Sequence, residues 1–210
     1  MIDYGMGNLH SVASALKHVG ASEVIVSHET DAIAAASRVV FPGVGGIRDC
    51  MVAIRRLGCD RLLNYALTVE KKPVLAICVG MQALMARSEE NEGVECLSTI
   101  PGDVRHFGDQ HRGANGERLK VPHMGWNEVS ASKPHPLWHD IPPRSRFYFV
   151  HSYHVVPRDP SVVAGTFEYG LKGCAALSQG NLFATQFHPE KSHTAGLTLL
   201  KNFLNWDGKC

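Results

Sequence analysis

Residues 74–82, Val-Leu-Ala-Ile-Cys-Val-Gly-Met-Gln, constrain the fold more than any other stretch of the chain. A continuous apolar run with no polar alternation reads as a strand buried on both faces, and such strands occur in parallel sheets wrapped by helices. Cys78 ends the run, and Val79-Gly80 lead into a helical pattern over residues 81–87. A strand that turns straight into a helix sets its last side chain at the carboxyl edge of the sheet. There the N–H groups and dipole of the helix N-terminus favour a thiolate and anionic intermediates. The turn is tight and asks for small neighbours, which Ala76 and Gly80 supply. A cysteine taken alone is more often inert core; the elbow makes the two readings about even.

The first ninety residues repeat the same rhythm. Ile2 begins a very short strand broken at Gly5-Met6-Gly7, and Asn8 reads as the N-cap of a helix carrying Leu9, Val12, Ala13, Leu16 and Val19, stopped by Gly20. Val24-Ile25-Val26 and Arg38-Val39-Val40-Phe41 read as strands, the latter ended by Pro42-Gly43. A helical stretch over residues 47–70 breaks near Gly58 and closes at Lys71-Lys72-Pro73. Strand and helix alternating in this way predict a parallel sheet flanked by helices.

From Pro101 the text turns strand-like and loop-rich, with strand candidates at residues 146–150, 162–167 and 182–187 and a closing helix over residues 194–206. No repeat or linker is visible, so the 210 residues predict one α/β domain with an antiparallel-rich second half. Twenty-one Lys+Arg against 20 Asp+Glu, with no run of one sign, argue against a nucleic-acid or membrane-surface binder. The six cysteines include no Cys-x-x-Cys clip. The N-terminus lacks the basic and apolar regions of a signal peptide, and the longest apolar run is too short to span a bilayer, so a soluble cytoplasmic protein is expected.

Phe187-His188-Pro189-Glu190 follows the last strand candidate. In extended chain, positions i and i+2 face one way, so His188 and Glu190 can act together across Pro189. A thiol needs a base, and the base needs a carboxylate to fix its tautomer, which assembles Cys78, His188 and Glu190 as a triad. Pro42-Gly43-Val44-Gly45-Gly46 suits a loop presenting N–H groups to an anion, although taken alone a plain turn before a helix is the better reading. No Gly-Lys-Ser/Thr follows it, so it is not a phosphate loop. His151 with His154, and His106 with His111, lack metal-site context, and neither a metal nor a cofactor is expected. Trp126, Trp138 and Trp206 read as core or interface residues, and residues 105–118, with His106, Asp109, His111 and Arg112, carry no assignable role.

Three ordered strings, Pro-Gly-Val-Gly at 42–45, Ala-Ile-Cys-Val-Gly-Met-Gln at 76–82 and Phe-His-Pro-Glu-Lys-Ser at 187–192, resemble the class I glutamine amidotransferases. Asp3-Tyr4-Gly5-Met6-Gly7-Asn8, Val121-Pro122-His123-Met124-Gly125-Trp126-Asn127 and Tyr148-Phe149-Val150-His151-Ser152-Tyr153 narrow the likeness to the glutaminase subunits of imidazole glycerol phosphate synthases. The resemblance spans essentially the whole chain. It implies a flavodoxin-like fold, with a central, mostly parallel sheet flanked by helices and an antiparallel extension, in a single domain over residues 1–210. It also implies hydrolysis of glutamine to glutamate and ammonia through a Cys78 thioester. The oxyanion would be held by backbone N–H groups of Val79, Val44 and Gly45, and the substrate by Gly45, Gln82, Glu90, His151, Ser152 and Tyr153, with Glu89 competing for the place of Glu90. The implied partner is a (β/α)₈-barrel cyclase subunit that receives the ammonia in histidine biosynthesis. His123, Met124, Trp126, Asn127, Lys191 and Ser192 would lie at that interface. Relatives usually carry Gly where this chain has Ala76, and a few more apolar residues before Asp3, so a passable but tight elbow and a late-starting first strand are expected.

Three other readings compete: a glutaminase serving another synthase, against which the 121–127 string speaks; a non-catalytic interaction subunit, against which the intact triad speaks; and a cysteine peptidase, for which Gln82 and the Gly-rich loop are poorly suited.

Overall fold

The computed structural model of the chain describes residues 1–108 and 111–209, so Asp109, Gln110 and Cys210 lie outside the described residues. In chain order the elements are α1 (Leu9–His18), α2 (Thr30–Ala35), β1 (Val39–Gly43), α3 (Ile47–Arg56), α4 (Cys59–Thr68), β2 (Val74–Cys78) and α5 (Val79–Ala83). There follow β3 (Arg87–Ser88), β4 (Val94–Glu95), β5 (Gly102–His106), β6 (His123–Glu128), β7 (Ser130–Ala131), β8 (Arg146–His151) and β9 (Tyr153–Pro157). The chain closes with β10 (Val163–Glu168), β11 (Lys172–Gln179), β12 (Leu182–Thr185) and α6 (His193–Asn205).

The main sheet runs β1-β2-β12-β11-β10-β7. β1, β2 and β12 are parallel, and the remaining strands add antiparallel. β2 is central and buried at every position, as its unbroken apolar run requires. A second sheet, β4-β3-β5-β9, and a β6-β8 ribbon hold the second half of the chain. The same sheet carries both a parallel core and an antiparallel extension, as expected from the sequence.

Several boundaries differ from the sequence reading. Residues 24–26 form no strand; Ser27 alone bridges Ile2, and Ile25 and Val26 stay 40% and 41% exposed. The helical stretch after Gly46 divides at Gly58, which takes φ 69° and lets α4 start in a new direction. The helix after Cys78 starts at Val79 and is over by Ala83, since Arg87 and Ser88 pair with β4 and β5 instead. Asn8 does not cap α1 through its side chain. Its amide instead reaches Glu190 Oε1, 3.4 Å away. Of the unassigned 105–118 segment, His106 ends β5, His111 hydrogen-bonds the Tyr169 carbonyl, and Arg112 Nη1 donates to the Gly116 carbonyl at 2.8 Å.

Candidate active site

Cys78 ends β2 with φ 54° and ψ −111°, a conformation that a non-glycine residue adopts only when its surroundings enforce it. β1 and β2 are in register to their ends, so Gly43 lies opposite Cys78 and the loop at 44–46 leaves the sheet beside the sulfur. The steric choke is at two glycines. A Cβ on Gly80 would sit 2.1 Å from the Phe41 carbonyl oxygen, and one on Gly43 would sit 2.6 Å from Tyr4 Oη. Ala76 is not part of the squeeze: it pairs inside the sheet with Phe41 and Ala184.

His188 and Glu190 come together by a different route from the one the sequence suggested. His188 bridges Tyr148, and Pro189–Lys191 forms a 3₁₀ turn rather than extended chain. The turn places His188 Nδ1 2.8 Å from Glu190 Oε1, with the two side chains 2% and 0% exposed. Nδ1 therefore carries the proton toward the carboxylate, and Nε2 is left buried with no hydrogen-bond partner among the described residues. Burial works against a charged imidazole here, but Cys78 and Glu190 outweigh it and raise the His188 pKa from 6.5 to about 10. Ser192 braces this turn. Its hydroxyl donates to the His188 carbonyl at 2.6 Å and accepts from Tyr148 N at 2.9 Å.

One cavity of about 500 Å³ collects the expected residues: Cys78, Val79, Val44, Gly45, Gln82, Glu90, His151, Ser152, Tyr153, His188 and Lys191, with Asn8, Pro122 and Val150 as further walls. Glu90 rather than Glu89 faces it. Glu90 Oε2 accepts from Ile47 N at 3.2 Å at the start of α3, whereas the Glu89 carboxylate turns away to the His106 amide. Gly45 takes φ +94°, and the neighbouring Val44 carbonyl accepts from the Cys50 thiol at 3.5 Å.

Two residues at the cavity or beside the sulfur were not expected there from the sequence. Gln186, fully buried, directs Nε2 toward Cys78 Sγ at 3.8 Å and accepts from Gln82 Nε2 at 3.1 Å. A glutamine inside the otherwise apolar run at 182–187 is the signal that could have found it, since a buried amide must have partners. Asn8, read as a cap, is the other.

Of the interface candidates, Met124 and Trp126 are 62% and 43% exposed, and Trp126 stacks on His193 with ring centroids 5.0 Å apart. Lys191 is exposed, its ammonium 5.8 Å from the Tyr148 ring centre. His123 and Ser192 contradict the expectation of surface contact, being 3% and 1% exposed. His123 is locked against His151, and Ser192 is spent on the brace just described. Asn127 is half-buried with its amide committed to the Glu168 carbonyl.

Residues 1–206 match the family described as Glutamine amidotransferase class-I. The imidazole glycerol phosphate synthase subunit HisH 1 of Pseudomonas aeruginosa is 60% identical over 210 residues, an overlap covering 100% of this chain and 97% of that protein. The subunit HisH of Pseudomonas putida is 60% identical over 209 residues, with 100% and 97% covered. A crystal structure described as a glutamine amidotransferase superposes with a TM-score of 0.70 at 15% identity, over 97% of this chain and 96% of that one. At that identity the likeness speaks for the fold alone.

Proposed function

The chain belongs to the class-I glutamine amidotransferase family, and on that premise we propose that it is the glutaminase subunit of an imidazole glycerol phosphate synthase, working through Cys78, His188 and Glu190. Glutamine occupies the cavity at Cys78, held by Gly45, Gln82, Glu90, His151, Ser152 and Tyr153. Nε2 of His188 takes the thiol proton, and the influences that raise its proton affinity keep the proton there while sulfur attacks the γ-carboxamide carbon. The tetrahedral oxyanion is stabilised by the N–H of Val79, the first residue of α5, and by N–H groups of Val44 and Gly45. His188 returns its proton to the leaving nitrogen, ammonia departs, and a glutamyl thioester remains. His188 then deprotonates a water that attacks the thioester; a second oxyanion collapses, glutamate leaves and the thiol is restored. Glu190 accepts the Nδ1 hydrogen of His188 and holds the ring's orientation throughout.

The ammonia passes to a (β/α)₈-barrel cyclase subunit, which uses it to make imidazole glycerol phosphate and the aminoimidazole carboxamide ribonucleotide of histidine biosynthesis. The exposed Met124 and Trp126, with Lys191 at the cavity wall, form the surface that receives this partner. No helix among the described residues is long and apolar enough to cross a membrane. A cytoplasmic heterodimer fits these features.

The observation that carries the reading is the convergence of a strained cysteine, a carboxylate-oriented histidine and a glutamine–glutamate pair on one cavity. Glutamate release from glutamine, measured for the purified chain alone and in complex with the nucleotide-loaded barrel protein, tests it. Low turnover alone, strong activation in the complex and loss in Cys78→Ala are expected. Turnover that survives the substitution refutes the nucleophile, and equal turnover with and without the partner refutes the coupling.

A further inference from the structure

A buried run of side chains leads from β6 to the Cys78 sulfur, and each of its hydrogens has one assignable direction. At its far end the Asn127 amide donates to the Glu168 carbonyl at 2.9 Å and reaches His123 Nε2 at 3.2 Å. His123 Nδ1 lies 2.9 Å from His151 Nε2, and His151 Nδ1 lies 2.7 Å from the Tyr153 carbonyl oxygen. A carbonyl can only accept, so His151 carries its proton on Nδ1. Burial lowers both imidazoles, His151 to about 3 and His123 to about 4, so each ring is neutral and has one bare nitrogen. The bare nitrogen of His151 is Nε2, and His123 must donate to it from Nδ1. His123 Nε2 is then the acceptor for Asn127.

The Tyr153 carbonyl that receives His151 also receives Gln82 Nε2, at 3.1 Å. The second amide hydrogen of Gln82 goes to Gln186 Oε1 at 3.1 Å, and Gln186 Nε2 faces Cys78 Sγ at 3.8 Å. The amide pair thus has its orientation set from one side by a carbonyl that two donors hold in place. Side chains alternate along β6: His123 and Asn127 turn inward into this run, while Met124 and Trp126 between them are exposed.

We propose that His123 is a positioning residue for the nucleophile: by donating from Nδ1 it fixes His151 in the tautomer that grips the Tyr153 carbonyl, and so steadies the Gln82–Gln186 pair that holds the Cys78 sulfur. The proposal rests on the reading of Cys78 as nucleophile. It gives the inward face of β6 a task matched to its outward one, because a partner seated on Met124 and Trp126 bears on the strand that carries the first imidazole. Packing alone would not need the donor. His123 is sandwiched between Phe149 and Tyr169, with ring centroids 4.8 Å and 4.0 Å away, and a phenylalanine would fill that place while donating nothing.

Two measurements decide it. In ¹⁵N-histidine spectra of the full chain, with the signals assigned through His123→Phe, both His123 and His151 are expected as Nδ1–H tautomers; an Nε2–H tautomer at either ring overturns the proposal without relying on any variant's activity. His123→Phe is expected to slow alkylation of Cys78 by iodoacetamide, and kcat for glutamate release in the complex, by about tenfold each with KM little changed. His123→Gln, whose amide can still donate to His151, is expected to recover most of both rates. A folded His123→Phe with wild-type alkylation and kcat overturns the proposal. Turnover surviving in Cys78→Ala would instead sink the nucleophile reading, and the tautomers would still be decisive for the hydrogen-bond run.

Discussion

Replacing His135 with asparagine isolates one proton-linked part of the stability of this fold. His135 is only 7% exposed, packed against Phe183 at 4.5 Å and Trp206 at 5.1 Å between ring centroids. Its Nδ1 accepts from the Leu137 amide at 3.1 Å, capping the short turn Pro136–Trp138, and its Nε2 is buried with no partner among the described residues. Burial, aided by the nearby Lys133 charge, lowers its pKa from 6.5 to about 4. Between those two values the unfolded chain binds a proton that the native one refuses, so stability falls as pH falls from about 6.5 to about 4. The whole span is worth about 3 kcal/mol at about 1.4 kcal/mol per pH unit, and about 2 kcal/mol of it is gone by about pH 5. Asparagine keeps an acceptor for the Leu137 amide and never takes up a proton. Urea unfolding followed by far-ultraviolet circular dichroism, at about pH 7.5 and about pH 5, gives the difference in unfolding free energy between wild type and His135→Asn. That difference should move by about 2 kcal/mol in favour of the variant on acidification. The smaller volume of asparagine costs the same at both pH values and drops out, as do all other titrating groups. A difference that stays constant within about 0.5 kcal/mol would refute the assignment of a buried, neutral His135.

Three further outcomes are expected. Gly80→Ala drives a Cβ into the Phe41 carbonyl oxygen and should cost about 3 kcal/mol or more of stability, read as a lower Tm; an unchanged Tm would mean the elbow is looser than its 2.1 Å approach implies. Trp126→Ala should weaken binding of the barrel partner by about 2 kcal/mol, roughly thirtyfold in Kd by titration calorimetry, while leaving the unfolding midpoint of the free chain nearly in place. Glu90→Gln should raise KM for glutamine about tenfold while Glu89→Gln leaves it alone; the reverse order would exchange their roles.

The parallel core was legible because β2 needs apolar residues on both faces, a demand written into five consecutive positions. The helix break was legible too, because Gly58 is the residue that tolerates the left-handed turn. The strand at 24–26 failed because strand-forming residues specify nothing without a partner, and here only Ser27 bridges Ile2. The early end of α5 was hidden for a related reason: Arg87 and Ser88 are recruited by β4 and β5, from later in the chain. At the site, the proposed grouping of Cys78, His188 and Glu190 could be inferred from the chemistry its members require. The inward turn of His123 could not, since alternate residues on β6 face opposite ways and nothing local says which set is inside. Asn8 stands at the N-cap position its residue type suggested, but its side chain makes no capping hydrogen bond, and that its amide would reach Glu190 was not legible.

The side-by-side placement of β2 and β12 has a consequence for when this chain becomes competent. Gln186 meets the Cys78 sulfur from 108 positions away, and His188 lies just beyond it, so the proposed nucleophile is synthesised long before its proposed base. Every ribosome-bound length that stops short of the last strand carries Cys78 without His188 and a sheet lacking β12. On the proposed assignment, a chain truncated before β12 lacks the base and is expected to release no glutamate from glutamine. The proposed chemistry therefore depends on the same late segment of the chain that supplies the parallel neighbour of β2.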